Sequence, residues 1–275
     1  MLSKKLKNQL NSLYDLSFEL SEALDNELLA SEVERENFHP GYKKNRKYFS
    51  RLIKSAIRTE RGVNRVHREA TRNIWRLVNW EAYTRRLLRG AILTDSVAWK
   101  DIRVGLMVVF TETLDDAFEV GGLSAQVELG VTTGFSVAEP KAQEALRKHT
   151  LKLAGGITDH TKELVRRAIA RSVDLGENQE QATDRLAAVI NNRDRAGKIA
   201  HTEAVRAYSA GRLEVGHQVG ARYKVWRDGQ PGVCKTCLVL HNKKVRIDEP
   251  FKSDIGEVDY PPLHPHCRCL LTLEM

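Results

Sequence analysis

All four cysteines of this 275-residue chain fall in its last 42 residues, as two tight pairs. Cys234 and Cys237 stand C-x2-C in "GVCKTCLVLH", and Cys267 and Cys269 stand C-x-C in "PPLHPHCRCLLTL". A tight turn at the first spacing points both sulfurs at one ion. On an extended strand the second spacing puts both sulfurs on one face. His264 and His266 add nitrogen donors beside the second pair. Zinc needs four such ligands in a tetrahedron, and six are on offer. Cys234, Cys237 and Cys267 are the first choices, with Cys269 or His264 as the fourth. The plainer alternative is a set of small buried or surface thiols. Two paired sets with no cysteine elsewhere favour zinc over that alternative. Metal binding adds folding free energy directly, because the unfolded chain holds no formed site. The last 50 or so residues have little core of their own, so a staple is expected there.

Apolar content of 41% allows a real core. The longest apolar run, "VGLMVVF" at 104–110, is too short to span a bilayer, so no membrane partner is expected. The N-terminal stretch has neither an unbroken hydrophobic run nor a cleavage site, which argues against a secretory signal. The expected compartment is the cytoplasm, where thiols stay reduced. Net charge is +8, yet residues 42–90 carry 15 Lys/Arg against 3 Glu, or about +12. The basicity therefore belongs to one segment.

Hydrophobic periodicity predicts an α+β chain. The N-terminal region is mostly helical, and C-terminal helices lead to a small β element closed by a zinc knuckle. Residues 1–36 read as an acidic amphipathic helix with Leu2, Leu6, Leu10, Leu13 and Leu16 near helical spacing. Pro40 and Gly41 break it. The next segment carries an apolar stripe that includes Phe49, Leu52, Ile53, Ala56, Val63, Val66, Ala70, Ile74 and Leu77. Arg51, Lys54, Arg58, Arg61, Arg65, Arg68, Arg72 and Arg76 recur at steps of 3 or 4, which sets eight cations along a second face. Trp75, Trp80 and Trp99 are expected in helix interfaces.

Residues 96–120 read as helical, and the Gly- and Thr-rich stretch 119–140 as a hinge or domain boundary. The division expected is a helical region at 1–138 and a second domain at 139–275. In the second, a helix is expected from a Thr158 cap to Gly176. Asn178 with Gln181 three residues on has capping-box spacing. A third helix carries Ala196, Ala200, Ala204, Ala207 and Gly211, small residues that let another element approach closely. Strand-like alternation follows at 221–226, in "KKVRI", and in the final "RCLLTL".

Two enzyme readings compete. Zinc deaminases carry H-x-E followed by P-C-x-x-C, with the Glu as acid/base. Here His201-Thr202-Glu203 precedes Cys234 and Cys237, but Val233 stands where the proline should be, and the H-x-E lies inside a helical pattern. An HNH-type nuclease would use His241, His264 or His266, and no clear Asp–His pair supports it. No Walker loop, GxGxxG or Ser/His/Asp signature is present. The favoured reading is not an enzyme.

The ordered set of "GGITDHTKELVRRAIARSVDLGENQEQATDRLAAVI", "AGKIAHTEAVRAYSAGRLEVG", Trp226, "CKTC" and "PPLHPHCRCLL" resembles the Mu F-like phage head morphogenesis family of minor head proteins. The resemblance covers roughly residues 145–273 and falls on Ile199, Ala200, Thr202, Glu203, Trp226, Cys234, Cys237, His264, Pro265, Cys267, Arg268 and Cys269. The family usually has Arg where this chain has His201. What the resemblance implies is a tailed-phage virion protein, made in the host cytoplasm. It would work near the portal in head assembly, DNA packaging or ejection, with portal, major capsid or scaffold proteins as partners. Modules of the family can also be joined to toxin-like enzymatic domains, and none is seen here.

The cationic stripe has only Glu60 and Glu69 nearby in sequence, which leaves three readings. Double-stranded DNA could neutralise it through backbone phosphates, without sequence readout. An acidic protein surface such as a portal or scaffold could do the same, and bare solvent is the third possibility. No aromatic residues interleave with the cations, so base stacking is not expected.

Overall fold

The computed structural model of the chain describes residues 42–85, 93, 97–228, 233–265 and 267–275. The helix expected at residues 1–36 and the donor His266 lie outside the described residues. The fold is α+β, as the periodicity predicts. Helices α1 (Tyr42–Arg72), α2 (Trp80–Thr84), α3 (Val97–Leu129), α4 (Pro140–Asp174), α5 (Gln179–Ile190) and α6 (Arg193–Val219) come first. A small β element follows: β1 (Tyr223–Arg227), the single turn α7 (Lys235–Leu238), β2 (Lys244–Arg246), β3 (Phe251–Ser253), β4 (Gly256–Val258) and β5 (Leu270–Glu274).

Helix α3 is the centre of the bundle. It packs against α1, α4 and α6, which explains why its buried positions run around more than one face: Ile102, Leu106, Phe110, Leu114, Phe118 and Ala125 all face protein. The α3–α6 crossing depends on missing side chains. A Cβ on Gly121 would stand 2.0 Å from the carbonyl oxygen of Tyr208, and one on Gly211 would stand 2.0 Å from that of Phe118. Each glycine sits on the other helix's backbone. The small face predicted at Ala196–Gly211 meets α3 at Gly211, and α6 packs against α1 as well, with Gly197 facing Glu60.

Several expectations shift. The segment read as a boundary at 119–140 is helical through Leu129, and the loop begins only at Gly130. Gly121 and Gly122 are there for packing, not for bending. The apolar core is continuous across residue 138, from Phe49 and Val63 through Phe118 to Tyr208 and Trp226. Thr158 caps nothing. It lies inside α4 and its hydroxyl donates to the carbonyl of Ala154 at 2.7 Å. Gly155 and Gly156 both lie inside α4, and a Cβ on Gly155 would stand 3.3 Å from the Arg103 guanidinium. Gly176 does end α4, at φ +67°, with Glu177 N–H donating to Ser172 O at 3.0 Å and Gly176 N–H to Val173 O at 3.1 Å. The Asn178/Gln181 capping box is formed in both directions.

Helix α1 stops at Arg72, so Arg76 lies in a separate 3-10 turn, Ile74–Arg76. Trp75 in that turn is 63% exposed rather than packed, whereas Trp99 is buried. The C-terminal sheet is antiparallel in the order β2-β1-β5, with Tyr223 opposite Glu274 and Arg227 opposite Leu270. It rests on α6 and α3 through β5. A separate hairpin, β3-β4, goes unseen in the sequence because its strands are three residues each and mostly polar.

Candidate metal centre

The centre forms where two short turns meet. Cys234 is the N-cap of α7, and its sulfur accepts the Cys237 N–H at 3.4 Å. That turn brings the two sulfurs of the C-x2-C together. The second turn carries His264 and Cys267, closed by Cys267 N–H donating to His264 O at 3.2 Å. Strand β5, paired along β1, anchors this second turn beside the first.

His264 Nε2 lies 3.1 Å from Cys234 Sγ and 3.2 Å from Cys237 Sγ, and Cys237 Sγ lies 3.7 Å from Cys267 Sγ. Metal–ligand bonds of ~2.3 Å to sulfur and ~2.0 Å to nitrogen in a tetrahedron set sulfurs about 3.8 Å apart. The Cys237–Cys267 separation is therefore already that of a coordinated pair. Nδ1 of His264 sits 2.9 Å from the Pro265 carbonyl. That contact places the ring proton on Nδ1 and leaves the Nε2 lone pair facing the sulfurs, the tautomer a metal ligand needs. Two trios share Cys237: Cys234, Cys237 and His264, and Cys237, Cys267 and Cys269. Cys234 is exposed, and the other three cysteines are buried. Cys269 lies against Trp226, whose ring meets Phe251 edge-on at 5.3 Å.

The electrostatics suit a cation. Hydrogen bonds from Cys237 and Cys269 hold the Cys267 thiol far below its ordinary value. The Cys237 thiol is pushed up, first by its hydrogen bond with Cys267. Burial opposes ionisation of Cys234, but the Cys237 N–H and His264 bring its value down. Burial likewise disfavours a charged His264, yet the Pro265 carbonyl and the Cys267 and Cys234 charges raise it. Without an ion these thiols must share protons. With one, all can be thiolates. The cluster of Cys234, Cys237, His264, Cys267 and Cys269 can hold a metal ion.

The motif residues around it are spent on structure. His201 Nε2 lies 3.2 Å from the Cys267 carbonyl oxygen and steadies that turn from α6. Thr202 donates to Lys198 O at 2.6 Å. The buried Glu203 carboxylate receives His149 Nε2 at 2.8 Å and Arg206 Nε at 3.1 Å. Neither His201 nor Glu203 joins the sulfur cluster as a deaminase would need. Arg268 points outward between the two cysteines. The fold does make an Asp–His pair that the sequence hides: Asp228, buried at the end of β1, meets His241 Nδ1 at 2.9 Å. Thirteen residues separate them, so no local spacing announces the pair. It ties the end of β1 to the turn after α7.

The cationic stripe is less open than its spacing suggests. Arg51 pairs with Asp116 at 2.8 Å and Glu119 at 3.3 Å, Arg58 with Asp116 at 2.5 Å, and Arg76 with Asp101 at 3.4 Å. The acids come from α3, out of reach of any reading of α1 alone. Arg72 is 3.7 Å from Glu69, and Arg68 Nε reaches Asn64 O at 3.4 Å. Arg61 is half-buried, while Lys54 and Arg65 are exposed.

Compared with known families, residues 163–272 match the one described as Phage Mu protein F like protein. The match begins within α4 and ends in β5, so it takes in α5, α6 and the whole Cys/His cluster. No curated protein and no solved structure matches the chain.

Proposed function

We propose that the chain is a minor head protein of a tailed phage, acting near the portal in head assembly, DNA packaging or ejection. The observation that carries this reading is the family match over residues 163–272, whose span coincides with the helices and sheet that build the cysteine cluster. Residues 139–275 are then the head-protein module, and residues 1–138 the helical region that bears the cationic face. Zinc is the ion proposed for Cys234, Cys237, His264 and Cys267, with Cys269 as the neighbouring fifth donor. Soft thiolates with one imidazole and closed geometry are the donor set of a structural zinc. Bound there, zinc supplies a cross-link between the α7 turn and the terminal strand, not a reactive water.

The partners proposed are portal, major capsid or scaffold proteins, and double-stranded DNA along Lys54, Arg58, Arg61, Arg65, Arg68 and Arg72. Phosphate contacts of that kind are salt-dependent and read no sequence. The ion pairs with Asp116 and Glu119 leave the Arg65–Arg72 end as the stronger site. No described helix is long and apolar enough to cross a membrane.

Quantitative mass spectrometry of purified particles from the phage that encodes the chain tests the reading. The expected result is the chain present in the particle at far lower abundance than the major capsid protein. Absence from both precursor heads and finished particles would overturn it.

A further inference from the structure

The cluster offers five donors where a structural zinc takes four. With Cys234, Cys237, His264 and Cys267 on the ion, Cys269 has no metal to bind. Its surroundings show what it is fitted for. The ligand atoms of Cys237, Cys267 and Cys269 all lie within 4.8 Å of one another, as do those of Cys234, Cys237 and His264. Among the described residues the donors therefore fall into two groups of three that share the Cys237 sulfur, and no fourth described donor joins either group.

The two groups differ in chemistry. The first reaches solvent through the exposed Cys234, and His264 brings it an imidazole. The second is all sulfur and dry, with Cys237, Cys267 and Cys269 1%, 1% and 2% exposed. Three sulfurs in a plane around one ion at ~2.3 Å stand about 4 Å apart, and Cys237 Sγ is 3.7 Å from Cys267 Sγ. A zinc ion held by these three alone would lack the fourth ligand of its tetrahedron, and burial keeps water from supplying it. Monovalent copper is selected by soft thiolates and is satisfied by three of them in a plane. A thiolate sulfur has lone pairs enough for two such ions, so Cys237 can serve both groups at once.

We propose that Cys237, Cys267 and Cys269 form a second metal site for a soft monovalent cation, and that the whole cluster takes two Cu(I) ions, one in each group of three, with Cys237 bridging them. This rests on the cluster being a metal centre and goes beyond the zinc reading in site, ion and stoichiometry. It does not rest on the head-protein reading.

Anaerobic titration of the full-length protein with Cu(I), supplied as its acetonitrile complex and read by native mass spectrometry, tests it. The wild type is expected to take two Cu(I). Cys269→Ser, which breaks only the all-sulfur group, should fall from two Cu(I) to one and still bind one equivalent of zinc when offered zinc instead. Cys234→Ser changes an exposed position and so puts the fold least at risk. It should also fall to one Cu(I), held in the buried group. A wild type that saturates at one Cu(I), or either folded variant taking two or none, overturns the proposal. A wild type that takes two Cu(I) but no zinc overturns zinc as the ion and leaves the second site standing, so the two readings fail separately.

Discussion

His67 shows how much one side chain can be asked to bear. It lies on the inner face of α1, 1% exposed, and neither ring nitrogen has a partner. Burial, reinforced by the Arg195 charge, takes its pKa from 6.5 down to about 4. The folded protein therefore resists protonating it, while the unfolded chain does not. Between pH 6.5 and 4 the unfolded state binds more protons, so stability is fully present above 6.5 and falls as the pH drops. From pH 7 to pH 5 the loss assigned to this residue is about 2 kcal/mol. His67→Leu removes the titrating group and leaves an apolar side chain of similar size, a change that can be near neutral at pH 7. Urea unfolding at both pH values should show the wild type losing about 2 kcal/mol more than the variant. Equal losses would mean that the ring is solvated or already paired. A single histidine in a helical stripe gives no sign of this, because the Arg195 charge that reinforces its burial comes from 128 residues away (195 − 67).

At the scale of elements, packing is decided by where helices touch backbone to backbone. Gly121→Ala must drive α3 and α6 apart, because the new carbon would stand 2.0 Å from the Tyr208 carbonyl. Overpacking at such a contact costs about 3 kcal/mol. Gly156→Ala, on the exposed side of α4 with nothing within 4 Å, should instead stabilise by about 1 kcal/mol through helix propensity. Thermal unfolding of the two variants beside the wild type checks both signs, and a destabilising Gly156→Ala would sink the packing account. Local signals were readable without coordinates: the Asn178–Gln181 box, the Gly176 stop, the small face of α6 and the paired cysteines each rest on neighbours within a few residues. What stayed hidden depends on distant chain. Asp116 and Glu119 neutralise Arg51 from 65 and 68 residues away. The β3-β4 hairpin has too few apolar residues to signal itself. For the centre, the donor types were legible, but the proximity of His264 Nε2 to Cys234 and Cys237 needed the two turns to be placed.

In the whole molecule, the β element is held from two sides. On one side β5 is bound into the bundle: the buried Arg212 donates to Leu271 O at 2.6 Å and to Ser124 Oγ at 2.8 Å, and pairs with Glu128. The other oxygen of Glu128 accepts the Leu273 N–H at 3.3 Å. On the other side the sulfur cluster joins α7 to the turn before β5. Stability should therefore divide. If the proposed zinc is bound, removing it should free residues 233–240 and 263–269 while α3, α6 and β5 stay folded through Arg212. Hydrogen exchange with and without a strong chelator measures this. Protection should drop in the two cysteine turns and persist in α3 and α6. Ligands that bind only the folded state stabilise it by about 4 kcal/mol at a thousandfold excess over Kd, so the melting temperature should fall as well. Cys237→Ser, which removes the donor shared by both trios, should reproduce the chelated pattern and bind no zinc, whereas His201→Ala should keep one equivalent. If chelation left the turns protected, the core contacts of Trp226, Phe251 and Cys269 alone would be enough to close the sheet. Loss of zinc in a folded His201→Ala would move the histidine from steadying the Cys267 turn to binding the ion itself.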